Sequence, residues 1–555
     1  MTPLNPVQRA AFTVSSIAKF FAAANRAGIL GTEGNPRALP TAGATLARYR
    51  FTTAREVEHG INTAPERNAL IDDNGVLTYS QLAAQSKTLA RRLLKIKQER
   101  GLDQLRIGVM ARNGRGIILP MTAKGYAGAS LYLLNVGSAR EQLAGTFKET
   151  GINILVIDDE FAERIPADTE NISLIWAHTS RDHGEDLSLE RIILDGTDNL
   201  PKLPLFPKHG DIVLMSSGTS GIPKGVLRSE PVLPLVVGGY LSAAPWRTGM
   251  SLQITASMFH TWGWSAVNLA FATRSTVITQ RIFNPENVFR QIQAFRCDGM
   301  VSSPIFFKQM LDLENNEKWD TSTLRFIASA GNALTPLLVE RTIARFGPIL
   351  SNYYGSTELA LAACATAEMI AKKPTVAGVT PPGTVLRLYD DNGNEVPHGE
   401  VGRIFLTNET ALKGYSNPTK RIESINGLVE IGDLGYFDED GHLNVLSRND
   451  EMIIVGGENV HPQSVTEVLE RMPGIFELHS GGVDDEDTFK RVAVWVVRSD
   501  DDAGRALTAD AVRNWVRDNL ADHSVPRDVN FVDSLPRNAT GKVMPHHLPE
   551  STRED

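Results

Sequence analysis

"MSSGTSGIPKG", residues 215–225, is the stretch on which the reading of this chain turns. Gly218, Gly221 and Gly225 let the backbone come close to a ligand. Ser216, Ser217, Thr219 and Ser220 add hydroxyl donors, and Lys224 adds a positive charge. All of these suit phosphate oxygens. The common phosphate loop, G-x-x-x-x-G-K-[ST], is not matched: Pro223 precedes the lysine, and Gly225 stands where a hydroxyl residue would hold magnesium. "DIVLM" before and "GVLRS" after both read as strands, so the segment joins two strands and does not open a helix. Alone, such a turn is as readily structural as functional.

The surrounding text is α/β. "LRIGVMA" and "INILVID" are short apolar runs typical of buried strands, with helical patterns between and after them. The alternation continues through "STVITQ", "GMVSSP" and "LRFIASA". From Gly383 to Leu446 strands and turns take over, as in "GRIFLT" and "GYFDEDGHLNVL", which predicts a β-rich subdomain. After Arg448 the chain starts afresh. "HPQSVTEVLERM" is a helix with Pro462 in its first turn, "RVAVWVVRS" a strand and "TADAVRNWVRDNLADH" a helix, enough for a small α+β domain. The expected organisation is an N-terminal helical extension (1–50), a large α/β domain (51–449) and a small α+β domain (450–555), with the boundary near Asp450.

Bulk properties narrow the function classes. A chain of 555 residues, 42% hydrophobic, can build several cores. Its net charge of -9 argues against nucleic acid as a partner. Two cysteines, Cys297 and Cys364, make no disulfide framework and point to a reducing, cytoplasmic setting. No window approaches the ~20 apolar residues of a membrane span. In "AAFTVSSIAKFFAAANRAGIL", Val14, Ile17, Phe21, Ala24 and Gly28 form one helical stripe, while Lys19 and Arg26 break any signal-peptide core. The helix either docks on its own protein or touches a lipid surface. A homodimer is compatible with the sequence.

Further short motifs accompany the loop. "NYYGSTELA" places Thr357 and Glu358 after a Tyr354–Gly355 turn, and a carboxylate there suits the magnesium that accompanies ATP. "EIGDLGYF" offers Asp433, whose oxygens can accept from two ribose hydroxyls. "SRNDEMIIVGGENVHP" combines Arg448 and Asp450 with Gly456 and Gly457, and "LPRNATGKV" puts Lys542 in a Gly-containing turn. Singly, each has a structural explanation.

Together and in this order, from about Phe51 to Val543, they resemble the adenylate-forming superfamily of acyl-CoA synthetases, peptide-synthetase adenylation domains and luciferases. The texture is closest to bacterial medium- to long-chain fatty-acid–CoA ligases. The resemblance implies a large domain with a mobile small domain, and ATP, magnesium and coenzyme A as cofactors. Pro223 is then part of the family's own loop, which closes over the β- and γ-phosphates while the acid matching Glu358 holds magnesium. Lys542 lies between the substrate carboxylate and the α-phosphate, and Thr357 bonds that phosphate. Tyr354, with Gly331 and Asn332 of "SAGNALTP", flanks adenine, and Gly355 belongs to the same motif. Asp433 binds ribose with Arg448 in support. Rotation about Asp450 exchanges the lysine face for the Gly456–Gly457 face, past which the pantetheine arm runs.

By the same resemblance, His260 of "SMFHTWGW" belongs to the acyl site and Trp262 and Trp264 to the acyl pocket; a buried histidine with ordinary core tryptophans is the other reading. His260 is read as lining and not as a base, since a carboxylate nucleophile needs no deprotonation at neutral pH. Three features depart from the family: "SAGNAL" where S-G-G-A-P-L is common, "VMPHHL" after Lys542, and the first fifty residues. The alternatives are a fatty acyl-AMP ligase serving a carrier-protein thiol, a ligase for another carboxylate, and a non-catalytic acyl-nucleotide sensor.

Overall fold

The apolar runs become the central strands of two parallel sheets in a computed structural model of the protein. It describes residues 4–551 except 36–37, 217–223, 229–230, 232, 418–422, 449–450, 456–457, 486–488 and 539. Among the described residues, one sheet of eight strands runs in the order Ala360–Ala365, Leu350–Ser356, Phe326–Ala330, Gly299–Ser302, Ser251–Ile254, Thr276–Ile278, Asn68–Asp72 and Gly75–Thr78. Its six inner strands are parallel and its two edge strands antiparallel. The second sheet, of seven strands, is parallel from Ile212–Ser216 through Ser130–Leu133, Arg106–Met110 and Ile154–Ile157 to Ser173–Trp176. Lys224–Arg228 and Gly414–Tyr415 add antiparallel edges to it.

Burial on both faces explains the unbroken apolar text of the inner strands, since a strand covered twice needs no polar side. One apolar core joins both sheets: Val109, Leu133, Val156, Leu252 and Phe271 all belong to it. Residues 376–448 form an antiparallel sheet with its own core around Leu386, Ile404 and Leu443. The last strand of that sheet ends at Arg448, and Ile453–Val455 already belongs to the sheet of the small domain. There, Val465, Val494, Val512 and Val516 form a separate core.

The N-terminal segment forms helices Pro6–Ala27 and Ala38–Tyr49, and Ala23, Ala24, Ala27 and Tyr49 pack into the large-domain core. The stripe docks only in part, through Ala24. Ser16, Phe20, Ala23, Ala24 and Ala27 are buried, whereas Val14 and Phe21 are 69% and 44% exposed. The reason is close approach. A Cβ on Gly238 of helix Val237–Ala243 would stand 3.2 Å from the Phe20 Cα, and the Gly383 N–H donates to Ser16 Oγ. The glycine at 238 lets the helix backbone at Phe20 come this near.

Candidate active site

The site forms where three antiparallel edges meet. Strands Ile212–Ser216 and Lys224–Arg228 pair Met215 with Gly225 and Ser216 with Lys224, the expected strand–loop–strand arrangement. Ser217, Gly218, Thr219, Ser220 and Gly221 lie outside the described residues, as does the side chain of Ser216. Beyond the loop, the Lys224 ammonium stands 5.8 Å from the centre of the Tyr415 ring. The Tyr415 hydroxyl donates to Glu358 Oε1 at 3.2 Å. Burial and the charge of Glu358 push this phenol upward, so it stays protonated and a donor. Lys224 and Glu358 are thereby placed around one ring.

Tyr354 and Gly355 do not form the expected turn. They continue strand Leu350–Ser356, and the turn begins at Thr357. The register against Ala360–Ala365 shifts at Tyr354–Gly355, and a Cβ on Gly355 would stand 1.6 Å from the Ala360 carbonyl oxygen. Only glycine fits that approach, so the residue serves a bulge and not a bend. Thr357 and Glu358 follow as a turn whose backbone is held from two sides. The Leu412 N–H donates to the Glu358 carbonyl at 2.9 Å, and the Arg228 guanidinium donates to the carbonyls of Ser356 and Thr357. Arg228 is 5% exposed; burial pushes it down to about 10, with Tyr240 and Glu358 acting in the opposite sense. It was missed in the sequence, although an arginine inside an apolar strand, "GVLRS", is the signal that could have found it.

The antiparallel subdomain contributes Asp433 and Arg448, the pair expected at ribose. Asp433 lies directly opposite Arg448 in register, and its Oδ2 accepts the Tyr354 hydroxyl. Burial and the Asp433 carboxylate raise the Tyr354 phenol well above its ordinary range. Tyr354 and Asp433 therefore form one unit. Gly331 follows strand Phe326–Ala330 with φ +98°, a left-handed turn that glycine adopts without cost, and Asn332 follows it. A cavity of about 1410 Å³ between the two domains has Asn332 and Thr335 on one wall and His479 and Gly481 on the other.

His260 precedes helix Thr261–Ala272, half-buried, and accepts the Trp264 N–H at its carbonyl. Burial first, then the cations of Lys542 and Arg228, push its imidazole down to about 4, so it is neutral at pH 7. Trp262 is buried, stacked on Tyr240 at 6.0 Å and 5.2 Å from Tyr353, with its indole N–H donated to the Ser302 carbonyl. Trp264 is half-buried against the core.

Lys542 reaches this place from the small domain. Asn538 organises its turn: Oδ1 accepts from the Lys542 N–H at 2.9 Å and from Thr540 Oγ1 at 2.8 Å. Arg537 braces the turn through the Gly541 carbonyl and an ion pair with Glu477. The turn seats on the large domain at Ile305, where a Cβ on Gly541 would stand 2.4 Å from the Ile305 side chain. Arg471–Glu340, at 2.6 Å, and Lys308 over the Phe476 ring, at 4.1 Å, bridge the domains elsewhere. Asp450, Gly456 and Gly457 lie outside the described residues.

The turn that carries Lys542 is thus seated on the large domain, where Lys224 and Glu358 flank the Tyr415 ring. A family model described as "AMP-binding enzyme" matches residues 57–416, and one described as "AMP-binding enzyme C-terminal domain" matches 464–542. The chain belongs to the AMP-binding enzyme family. The enzyme is 25% identical to the putative acyl-CoA ligase YdaB of Bacillus subtilis, over 87% of this chain and 96% of that protein. It is 27% identical to a 2-succinylbenzoate–CoA ligase of Bacillus cereus, over 88% and 96%. The solved structure of the amide bond synthetase McbA from Marinactinospora thermotolerans superposes with a TM-score of 0.75 at 26% identity, covering 88% of this chain and 97% of that one. The enzyme therefore has the large and small domains of the adenylate-forming enzymes and the class of an acid–thiol ligase. Helix Pro6–Ala27 precedes the matched span.

Proposed function

We propose that the enzyme joins a carboxylic acid to ATP as an acyl-adenylate, releasing pyrophosphate, and then transfers the acyl group to the thiol of coenzyme A, releasing AMP. The observation that carries this reading is the seating of the Lys542 turn on the large domain, where Asn538 Oδ1 accepts the Lys542 N–H and Gly541 packs closely on Ile305. In the first step the carboxylate oxygen attacks the α-phosphorus and the bond to pyrophosphate breaks. Negative charge on the phosphoryl oxygens is met by Lys542 and Thr357, and Lys224 holds the departing pyrophosphate. Such fixed donors act where charge develops. Asp433 and Arg448 hold ribose, and Tyr354, tied to Asp433, borders the base.

Magnesium is fitted by Glu358, which offers a hard carboxylate oxygen beside a neutral phenol, the donor type this ion takes. When bound, it neutralises charge on the triphosphate. Neutral His260 lines the site near the carboxylate without competing for a proton, and Trp262 and Trp264 border the acyl chain.

The substrate we favour is an apolar acid, with medium- to long-chain fatty acids tested first. The tryptophans and the resemblance to fatty-acid ligases support this, while the 2-succinylbenzoate relative supports including aromatic acids. A panel of carboxylates graded by length, with aromatic acids added, is incubated with ATP and magnesium, with and without coenzyme A. AMP release together with acyl-CoA from a fatty acid supports the whole reading. Adenylate that persists until a carrier protein is added replaces coenzyme A as acceptor, and turnover of aromatic acids alone overturns the fatty-acid assignment.

A further inference from the structure

The exit of the glycine-rich segment is held by a hydroxyl to which the reading above gives no task. Ser416 follows strand Gly414–Tyr415. Its Oγ accepts from the Gly225 N–H at 3.1 Å and donates to Glu149 Oε1 at 2.5 Å, and its own N–H donates to the Gly225 carbonyl at 2.7 Å. Glu149 lies in the last turn of helix Arg140–Thr150, so three segments distant in sequence meet at one oxygen. The fit is close: a Cβ on Gly225 would stand 2.6 Å from Ser416 Oγ and 2.9 Å from Val213 Cγ1. The neighbouring Tyr415 meets Lys224 with its ring and Glu358 with its hydroxyl. Two consecutive residues therefore touch both ends of the phosphate-binding apparatus.

We propose that Ser416 and Glu149 are positioning residues for the triphosphate: the Glu149 carboxylate fixes the Ser416 hydroxyl so that its lone pair receives the Gly225 N–H, which sets where Lys224 stands. A serine hydroxyl has one hydrogen and two lone pairs. With the hydrogen committed to Glu149, the lone pairs face Gly225. With Glu149 gone, the hydroxyl rotates and the strand junction loses its anchor. The effect falls on the phosphate end of the nucleotide that Lys224 serves and spares the nucleoside end assigned to Asp433 and Tyr354.

This rests on the proposed ATP site, so the test reads nucleotide binding and needs no knowledge of the acid. Isothermal titration of the full chain with α,β-methylene-ATP and magnesium, and separately with AMP, compares wild type, Glu149→Ala, Glu149→Gln, Ser416→Ala and the double alanine variant. Glu149→Ala is expected to weaken the triphosphate about 10-fold or more. AMP affinity stays unchanged, Glu149→Gln recovers most of the loss because an amide oxygen still accepts, and the double variant is no worse than either single one. Loss of AMP and triphosphate affinity together, additive losses, or an unaffected Glu149→Ala overturns the proposal. A wild type that binds neither nucleotide instead overturns the ATP site itself.

Discussion

Tyr354 donates its phenolic hydrogen to the Asp433 carboxylate, so the edge of the eight-stranded sheet is tied to the antiparallel subdomain by one hydrogen bond. The two residues are 79 positions apart. Their union makes the ribose and adenine sides of the proposed site a single rigid corner.

Asp433→Ala removes both the ribose acceptor and the partner of Tyr354. With about 1.5–3 kcal/mol for hydrogen bonds to a charged group, the KM for ATP rises about 10- to 100-fold. Tyr354→Phe removes only the phenol, and the rise is several-fold. Steady-state kinetics with ATP as the varied substrate checks both; equal effects of the two variants would contradict the arrangement.

Much of this was legible because the chemistry is local. The flanking strands of the glycine-rich segment and the separate small domain each sit in a short stretch whose residue types carry the meaning. What escaped is non-local. Ser416 and Glu149 are 267 positions apart, and Arg228 is explained only by the Ser356 and Thr357 carbonyls it meets. The Tyr354–Gly355 pair reads as a turn, because glycine after an aromatic gives no sign of a bulge set by the opposite strand. Which residues of the N-terminal helix dock is non-local too, since the partners of Phe20 and Ser16 are Gly238 and Gly383.

His59 supplies a pH prediction. Its Nε2 stands 2.7 Å from an Arg274 guanidinium nitrogen, and burial followed by Arg274 pushes it down to about 4. The folded protein therefore binds fewer protons than the unfolded chain between about pH 4 and the ordinary histidine value near 6.5. Stability rises with pH across that window and falls as acid is added. Melting temperatures from pH 7 to pH 4.5 should decline, and His59→Gln should flatten the decline; a flat wild-type profile would contradict this.

The outward face of helix Pro6–Ala27 gives the proposed lipid contact a sharper form. Val7, Val14 and Phe21 are 78%, 69% and 44% exposed, and the helix carries Arg9, Lys19 and Arg26 with no acidic residue. Basic residues near an anionic surface add about 1 kcal/mol each. Flotation with phosphatidylglycerol vesicles should recover the protein at low salt, and Val14→Asp with Phe21→Asp should reduce recovery severalfold. Equal flotation of the variant removes this helix from any membrane role.

The lysine of the small domain is tested by separating the two half-reactions. Lys542→Ala is assayed for pyrophosphate exchange into ATP with a turned-over acid, and for acyl transfer to coenzyme A from supplied acyl-adenylate. Loss of a fixed charged donor costs about 3–4 kcal/mol, so exchange should fall about 10²- to 10³-fold while transfer from the preformed adenylate persists. Undiminished exchange by Lys542→Ala would contradict the placement of that charge at the reacting phosphorus.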